Sequence, residues 1–167
     1  MIIGSGDTTF PAYVPPDANE QPFVGADIGD PPGPASFDDL MRQFGANRSA
    51  AVAAIRIGFP ATLLDDASRY FEISNQRICA VARLPEATVQ ALKHGALLDA
   101  AASERLWRLA DLMRMARAVF ENDEAAKSWL RTPSAGFNNA APMDYLDTEP
   151  GAIVVRHALA AVVIGGS

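Results

Sequence analysis

Two histidines, His94 and His157, and one cysteine, Cys79, are the side chains of this sequence that a metal ion would seek. A zinc site takes three or four such ligands, usually with a close pair such as H-x₃₋₅-H. His94 and His157 lie far apart, and Cys79 sits in an apolar stretch, so structural roles are expected and no metal or cofactor is implied. A second group, Asp144, Asp147 and Glu149, brings carboxylates close enough to be imagined as a general acid and base. Helix caps and solvated turns account for the same residues more simply. Nowhere do a nucleophile, an oriented base and an oxyanion donor occur together, so the chain is read as no enzyme and as having no small-molecule substrate.

A third group is cationic and polar. Arg69, Arg77, Arg83 and Lys93 could supply sequence-independent attraction to phosphates, and Thr88 and Gln90 could reach phosphate or base edges. Asp65, Asp66, Glu72 and Glu86 match those four charges. Operator binding therefore stands beside a degenerate unit kept for packing and dimerisation.

The net charge of −6 obscures this surface. Seven of the 20 acidic residues lie in the first forty positions, where there is no Lys or Arg, so the remaining thirteen face all 14 basic residues. The low net charge thus belongs to the N-terminal stretch, and the body is close to neutral. Residues 1–35 are rich in Pro, Gly and Asp and show no periodicity, which predicts a flexible acidic tail or a partner-binding linear segment. The 49% hydrophobic content of 167 residues is enough for a buried core. AIVVRHALAAVVI, interrupted by Arg156 and His157, falls short of the roughly 20 apolar residues of a membrane span. The N-terminus has no basic region ahead of an apolar stretch, and one cysteine allows no internal disulfide. The expectation is a soluble cytoplasmic protein that meets no membrane.

The elements that must position these residues read as helices. Ser36 looks like an N-cap followed by acidic Asp38 and Asp39, and Gly45 should close that helix. An alanine-rich helix from Arg48 to Ile57 should stop at Gly58. PATLLDDASRYF and PEATVQALKH each begin with a proline in the first-turn position, the second closing at Gly95, and NQRICAVA lies between them. SERLWRLADLMRMARAVFE, with Ser103 as N-cap, is apolar on more than one side and should be gripped by several partners. In the last segment Ile153, Val154, Ala158, Ala161 and Val162 share a helical face. The fold class is all-α, and the helix, EIS, short helix, RLPEATVQAL order has the spacing of a helix-turn-helix.

KSWLRTPSAGFNNAAPMDYLDTEPG connects the long helix to the last one. Trp129 and Leu130 give a helix an apolar anchor before Thr132-Pro133 stops it, and Gly136, Asn138 and Asn139 suit tight or left-handed turns. Pro142 should start a short helix that sends Met143, Tyr145 and Leu146 to the core, Asp144 should sit in its first turn, and Thr148 should cap the last helix with Gly151 behind it.

The series W-L, T-P, N-x-x-P-M-D-Y-L and T-x-x-G, behind a long helix ending in VF and ahead of a helix closing on glycine, resembles the Xre-type antitoxins of the MbcA/ParS/Xre family over residues 58–167. The resemblance implies a cytoplasmic bacterial antitoxin of a type II toxin–antitoxin system. Such a protein forms a homodimer, binds a cognate RES-domain, NAD-consuming toxin through its C-terminal module, covers that toxin's active site, and can repress its own operon. Together with the tail read from composition (1–35), it divides the chain into a helix-turn-helix and dimerisation part (36–120) and a toxin-binding module (121–167), residues 1–57 lying outside the resemblance itself. DNA contacts would fall on Arg77, Arg83, Thr88, Gln90 and Lys93. Toxin contacts would fall on Tyr145, Arg156, His157, Val163, Ile164, Gly165, Gly166 and Ser167, with Trp129, Leu130, Pro133, Pro142, Leu146 and Gly151 as anchors. The second short helix of the helix-turn-helix departs from the pattern, since Lys93 is its one basic residue where family members commonly carry several arginines. A dimeric helix-turn-helix regulator without a toxin is the alternative.

Overall fold

The computed structural model describes residues 33–45, 47–92 and 95–166. Helix α1 (Phe37–Phe44) starts where the Ser36 hydroxyl accepts the Asp39 N–H at 3.0 Å, and it buries Phe37, Leu40, Met41 and Phe44 at helical spacing. Helix α2 (Arg48–Ile57), capped by Asn47, stops at Gly58, whose φ of 104° suits glycine. The chain then runs extended, and an isolated bridge pairs Pro60 with Leu97. Leu98 N donates to Phe59 O at 2.8 Å, and Ala61 N donates to Ala96 O at 2.9 Å. Among the described residues this is the nearest approach to β structure.

Helices α3 (Thr62–Phe71), α4 (Asn75–Ala82) and α5 (Glu86–Ala91) follow. The expected proline starts are displaced. Pro60 is held in the bridge, with α3 beginning two residues later, and Pro85 occupies the N-cap position of α5. Helix α5 also ends sooner than its apolar spacing predicts, because Leu92 turns to extended geometry with ψ 119°. Lys93 and His94 lie outside the described residues.

Helix α6 (Ala100–Phe120) spans 21 residues, about 31 Å at 1.5 Å per residue. It packs against α1, α2, α4, α7 and α8, which is the many-sided grip its composition predicts. Its cap is Asp99, whose carboxylate accepts the Ala102 N–H at 2.7 Å, and not Ser103. Ser103 lies within the first turns, fully buried, and its hydroxyl accepts the Phe59 N–H at 2.9 Å. Both residue types can cap a helix, and the buried Phe59 N–H takes the serine.

Helix α7 (Asp123–Arg131), two 3₁₀ turns (Ala135–Phe137 and Pro142–Tyr145) and helix α8 (Glu149–Gly165) complete the chain. The structure selects one face of α8 for packing, and it is not the face that Ile153 and Val154 share. Gly151, Ala152, Val155 and Leu159 are buried, whereas Ile153 and Val154 are exposed. A helix apolar on nearly every side carries no pattern that selects one face.

Candidate functional site

The segment between α7 and α8 is a compact turn whose polar backbone is satisfied locally. Asn122 caps α7 by accepting the Ala125 N–H at 2.9 Å, and α7 ends at Thr132, which is extended ahead of Pro133. Ser134 N donates to Ala140 O at 3.1 Å and Asn139 N donates to Ser134 O at 3.0 Å, closing the loop. Asn138 and Asn139 take the left-handed conformations, with φ of 53° and 62°, that asparagine tolerates. Leu130, Met143 and Leu146 are fully buried beneath it, each worth roughly 1.5–3 kcal/mol relative to exposure.

Phe120, Trp129, Phe137 and Tyr145 form a ladder of rings with centroids 5.8, 6.0 and 5.3 Å apart. The Tyr145 hydroxyl donates to Phe137 O and accepts from Asn138 Nδ2, both at 3.2 Å. Asp144 accepts the Ala141 N–H at 3.1 Å. Thr148 caps α8 by accepting the Gly151 N–H at 3.2 Å. A Cβ on Gly151 would stand 1.8 Å from Tyr145 O, so glycine is what lets α8 start against the preceding turn. Pro142 is buried with this set, and Pro133 is exposed.

Polar side chains then fix the azimuth of α8 on α6. Arg108, nearly buried, donates to Leu146 O at 3.0 Å, grips both Glu104 oxygens at 2.7 and 2.8 Å, and lies 3.4 Å from Glu149. Arg156 turns inward, 3.2 Å from Glu149 and 3.9 Å from the buried Asp111, whose other oxygen accepts from Arg114 at 3.1 Å. With its buried stripe so held, α8 projects the rest. Among the described residues beyond Leu159 none is buried, and Val163 and Ile164 are 58% and 78% exposed. Ile153 and Val154 add exposed apolar surface nearer its start.

Of the residues expected to meet a partner, His157, Val163, Ile164, Gly165 and Gly166 lie exposed on α8 or at its end, while Tyr145 and Arg156 are engaged within the fold. Ser167 lies outside the described residues. Ile153 and Val154 were missed as surface, yet the sequence held a signal. Stepping by four from the glycine that must approach the backbone selects Val155 and Leu159 as the buried stripe and leaves the isoleucine and valine out.

The second cluster is the α3–α4–α5 unit. Arg77 donates to Arg131 O at 2.9 Å and pairs with Asp144 at 3.4 Å. Arg131 in turn donates to Phe71 O and to Glu72, both at 2.8 Å. These reciprocal contacts satisfy carbonyls at the ends of α7 and α3. The Arg131 guanidinium also holds the Glu72 carboxyl below the usual range. Tyr70 donates to Asp123 at 2.9 Å, with the Lys127 ammonium 4.3 Å from its ring centre.

Val89 of α5 lines hollows shared with α4 and with the start of α3, whereas Thr88, Gln90 and Arg83 are exposed. Cys79 is buried, and burial pushes its thiol up, away from reactivity. Among the described residues no group of three or more His, Cys, Asp or Glu side chains gathers to hold a metal ion. The carboxylates of Asp144 and Glu149 are both taken up in contacts with arginines. No single described helix is long and apolar enough to cross a membrane.

Residues 115–162 match the model of the antitoxin Xre/MbcA/ParS C-terminal toxin-binding domain, and residues 50–111 match the antitoxin Xre-like helix-turn-helix domain. The chain belongs to the Xre/MbcA/ParS antitoxin family. An antitoxin Xre of Pseudomonas putida is 38% identical over 63 residues, which cover 38% of this chain and 40% of that protein, so the chain matches about two fifths of that relative's length. Both domain matches break within α6, and this Xre-family chain therefore uses one long helix as the spine of two domains. Its most exposed apolar residues, Val163 and Ile164, lie just past the matched toxin-binding domain.

Proposed function

We propose that this protein is an antitoxin that binds and neutralises a cognate RES-domain, NAD-consuming toxin, with α8 and its projecting end as the covering element. The observation that carries this is the end of α8, where a toxin-binding domain continues into exposed Val163, Ile164, Gly165 and Gly166 instead of closing on its own core. Side chains of this kind gain by leaving water at an interface, and the glycine pair permits close backbone approach. The reading places the protein in the cytoplasm, as a homodimer, with the active chemistry in the partner. Co-expression with the RES-domain protein of the neighbouring gene tests it: a stable complex and restored growth are expected, and absence of both would overturn it.

A second role, repression of its own operon, is favoured by the helix-turn-helix match and by the exposure of Thr88 and Gln90 on α5. Arg77 would then hold the two domains together, and Arg83 would be the cation near the groove. A regulator acting without a toxin would bind DNA and fail the co-expression test.

A further inference from the structure

Attraction to phosphate is served best by cations that no other group of the fold already holds. Every arginine and lysine from Arg105 to Arg156 makes a hydrogen bond or an ion pair within the fold, as does Arg77. Arg69 bonds to a carbonyl of its own helix. Arg48, Arg56 and Arg83 are exposed and have no such contact among the described residues. Among the described residues, the cationic side chains without a partner are thus confined to the helix-turn-helix half of a protein whose net charge is −6.

Two of these three lie on elements joined to α5, one by the chain before it and one through the bridge after it. Arg83 is the left-handed cap of α4, with φ 55°, two residues ahead of the Pro85 that opens α5. Arg56 lies in the last turn of α2, two residues before Gly58. A Cβ on that glycine would stand 2.3 Å from Leu98 O and 3.4 Å from the Leu97 side chain, and the next residues, Phe59 to Ala61, are hydrogen-bonded to Ala96 and Leu98. That second strand of the bridge is the chain emerging from α5. The bridge therefore ties the segment after α2 to Ala96–Leu98, the chain that follows α5, while Arg83 stands two residues before Pro85.

Of the nearby carboxylates Glu72 is paired with a cation, whereas Asp65, Asp66 and Glu86 accept from neutral donors and keep their charge, which the two arginines must outweigh. Glu72 is paired with Arg131, Asp65 accepts from Asn75 at 2.6 Å, Asp66 accepts the Phe37 N–H, and Glu86 accepts from Gln90 at 3.3 Å.

We propose that Arg56 and Arg83 form a phosphate clamp bracketing α5 on duplex DNA, so that α2 takes part in the nucleic-acid face. The proposal rests on the DNA-binding role above. It explains how a helix with few basic residues of its own could be held against a polyanion: the cations come from the elements at its two ends. Arg48, at the far end of α2 and about 12 Å away along its axis, has the same charge and exposure without that placement.

The test is fluorescence anisotropy of the full chain on two duplexes, the sequence upstream of its own gene and a random sequence of equal length, between 50 and 200 mM salt, a range chosen for the steep loss of about 10³–10⁵ in affinity that six to ten phosphate contacts produce. Arg56→Ala and Arg83→Ala should each lower the slope of log affinity against log salt by about 0.9 on both duplexes, the amount expected for one phosphate contact. Arg48→Ala should leave the slope at the wild-type value. A wild-type slope in Arg56→Ala, or an equal loss in Arg48→Ala, overturns the clamp. If the wild-type chain binds neither duplex, the DNA-binding role itself fails and the clamp with it.

Discussion

Replacing Gly151 with alanine probes the joint on which the projecting helix depends. The added Cβ would lie 1.8 Å from Tyr145 O and 2.8 Å from Tyr145 C, where ordinary contacts are 3.4–4 Å. The obstacle is backbone, fixed by the buried Met143 and Leu146 on either side, so no rotamer change relieves it. The first turn of α8 must move by roughly 1.6 Å, and overpacking of this kind costs about 1–3 kcal/mol, with the upper end expected here. Alanine's helix propensity returns at most about 1 kcal/mol. For a chain of this size each kcal/mol lowers the Tm by about 2–4 °C, so the net loss of about 2 kcal/mol should appear as a fall of roughly 4–8 °C in thermal unfolding followed by circular dichroism. Gly165→Ala is the control, because its Cβ would meet nothing within 4 Å and the helix should be unchanged or slightly firmer. A Gly151→Ala protein melting within about 1 °C of wild type would refute the close-approach argument.

Three further outcomes follow from the same geometry. Ser103→Ala strands the buried Phe59 N–H and should cost about 1–3 kcal/mol in urea unfolding, whereas Asp99→Ala loses an N-cap and should cost about 1 kcal/mol; the opposite order would return the capping role to Ser103. Burial, and then the hydrogen bond to Asp123, push the Tyr70 phenol well above its ordinary range. The folded state therefore holds that proton more tightly than the unfolded state, and the stability it contributes is present below the unfolded pKa of about 10 and lost as pH rises beyond it. Ultraviolet titration should show a late phenol that disappears in Tyr70→Phe. Val163→Asp, at an exposed position, should leave the Tm unchanged while weakening co-purification with the RES-domain protein at least tenfold, and an undiminished complex would remove Val163 from the interface.

Much of the fold was legible because capping and turn chemistry are local. Ser36, Gly58, Thr148 and the Asn138–Asn139 pair do what their side chains and allowed dihedral angles dictate. The errors arose where a distant group made the choice. Ser103 was taken from its capping role by Phe59, which lies 44 positions away, and Pro60 was drawn out of α3 by its bridge to Leu97. The buried face of α8 depended on where Gly151 meets Tyr145, a contact that hydrophobic periodicity does not encode. Arg77 shows the same limit at the candidate site: its charge was read from the sequence, but its engagement with Arg131 O and Asp144 belongs to the tertiary structure.

The most direct test of the central claim is to shorten the chain after Leu159, the last buried residue among those described, and measure cellular NAD during co-expression with the RES-domain toxin proposed as its partner. The full chain should hold NAD at the level of cells without toxin, and the chain lacking residues 160–167 should remain helical and folded yet let NAD fall and growth stop. Full protection of NAD by the shortened chain would contradict the assignment of the projecting end of α8 as the covering element.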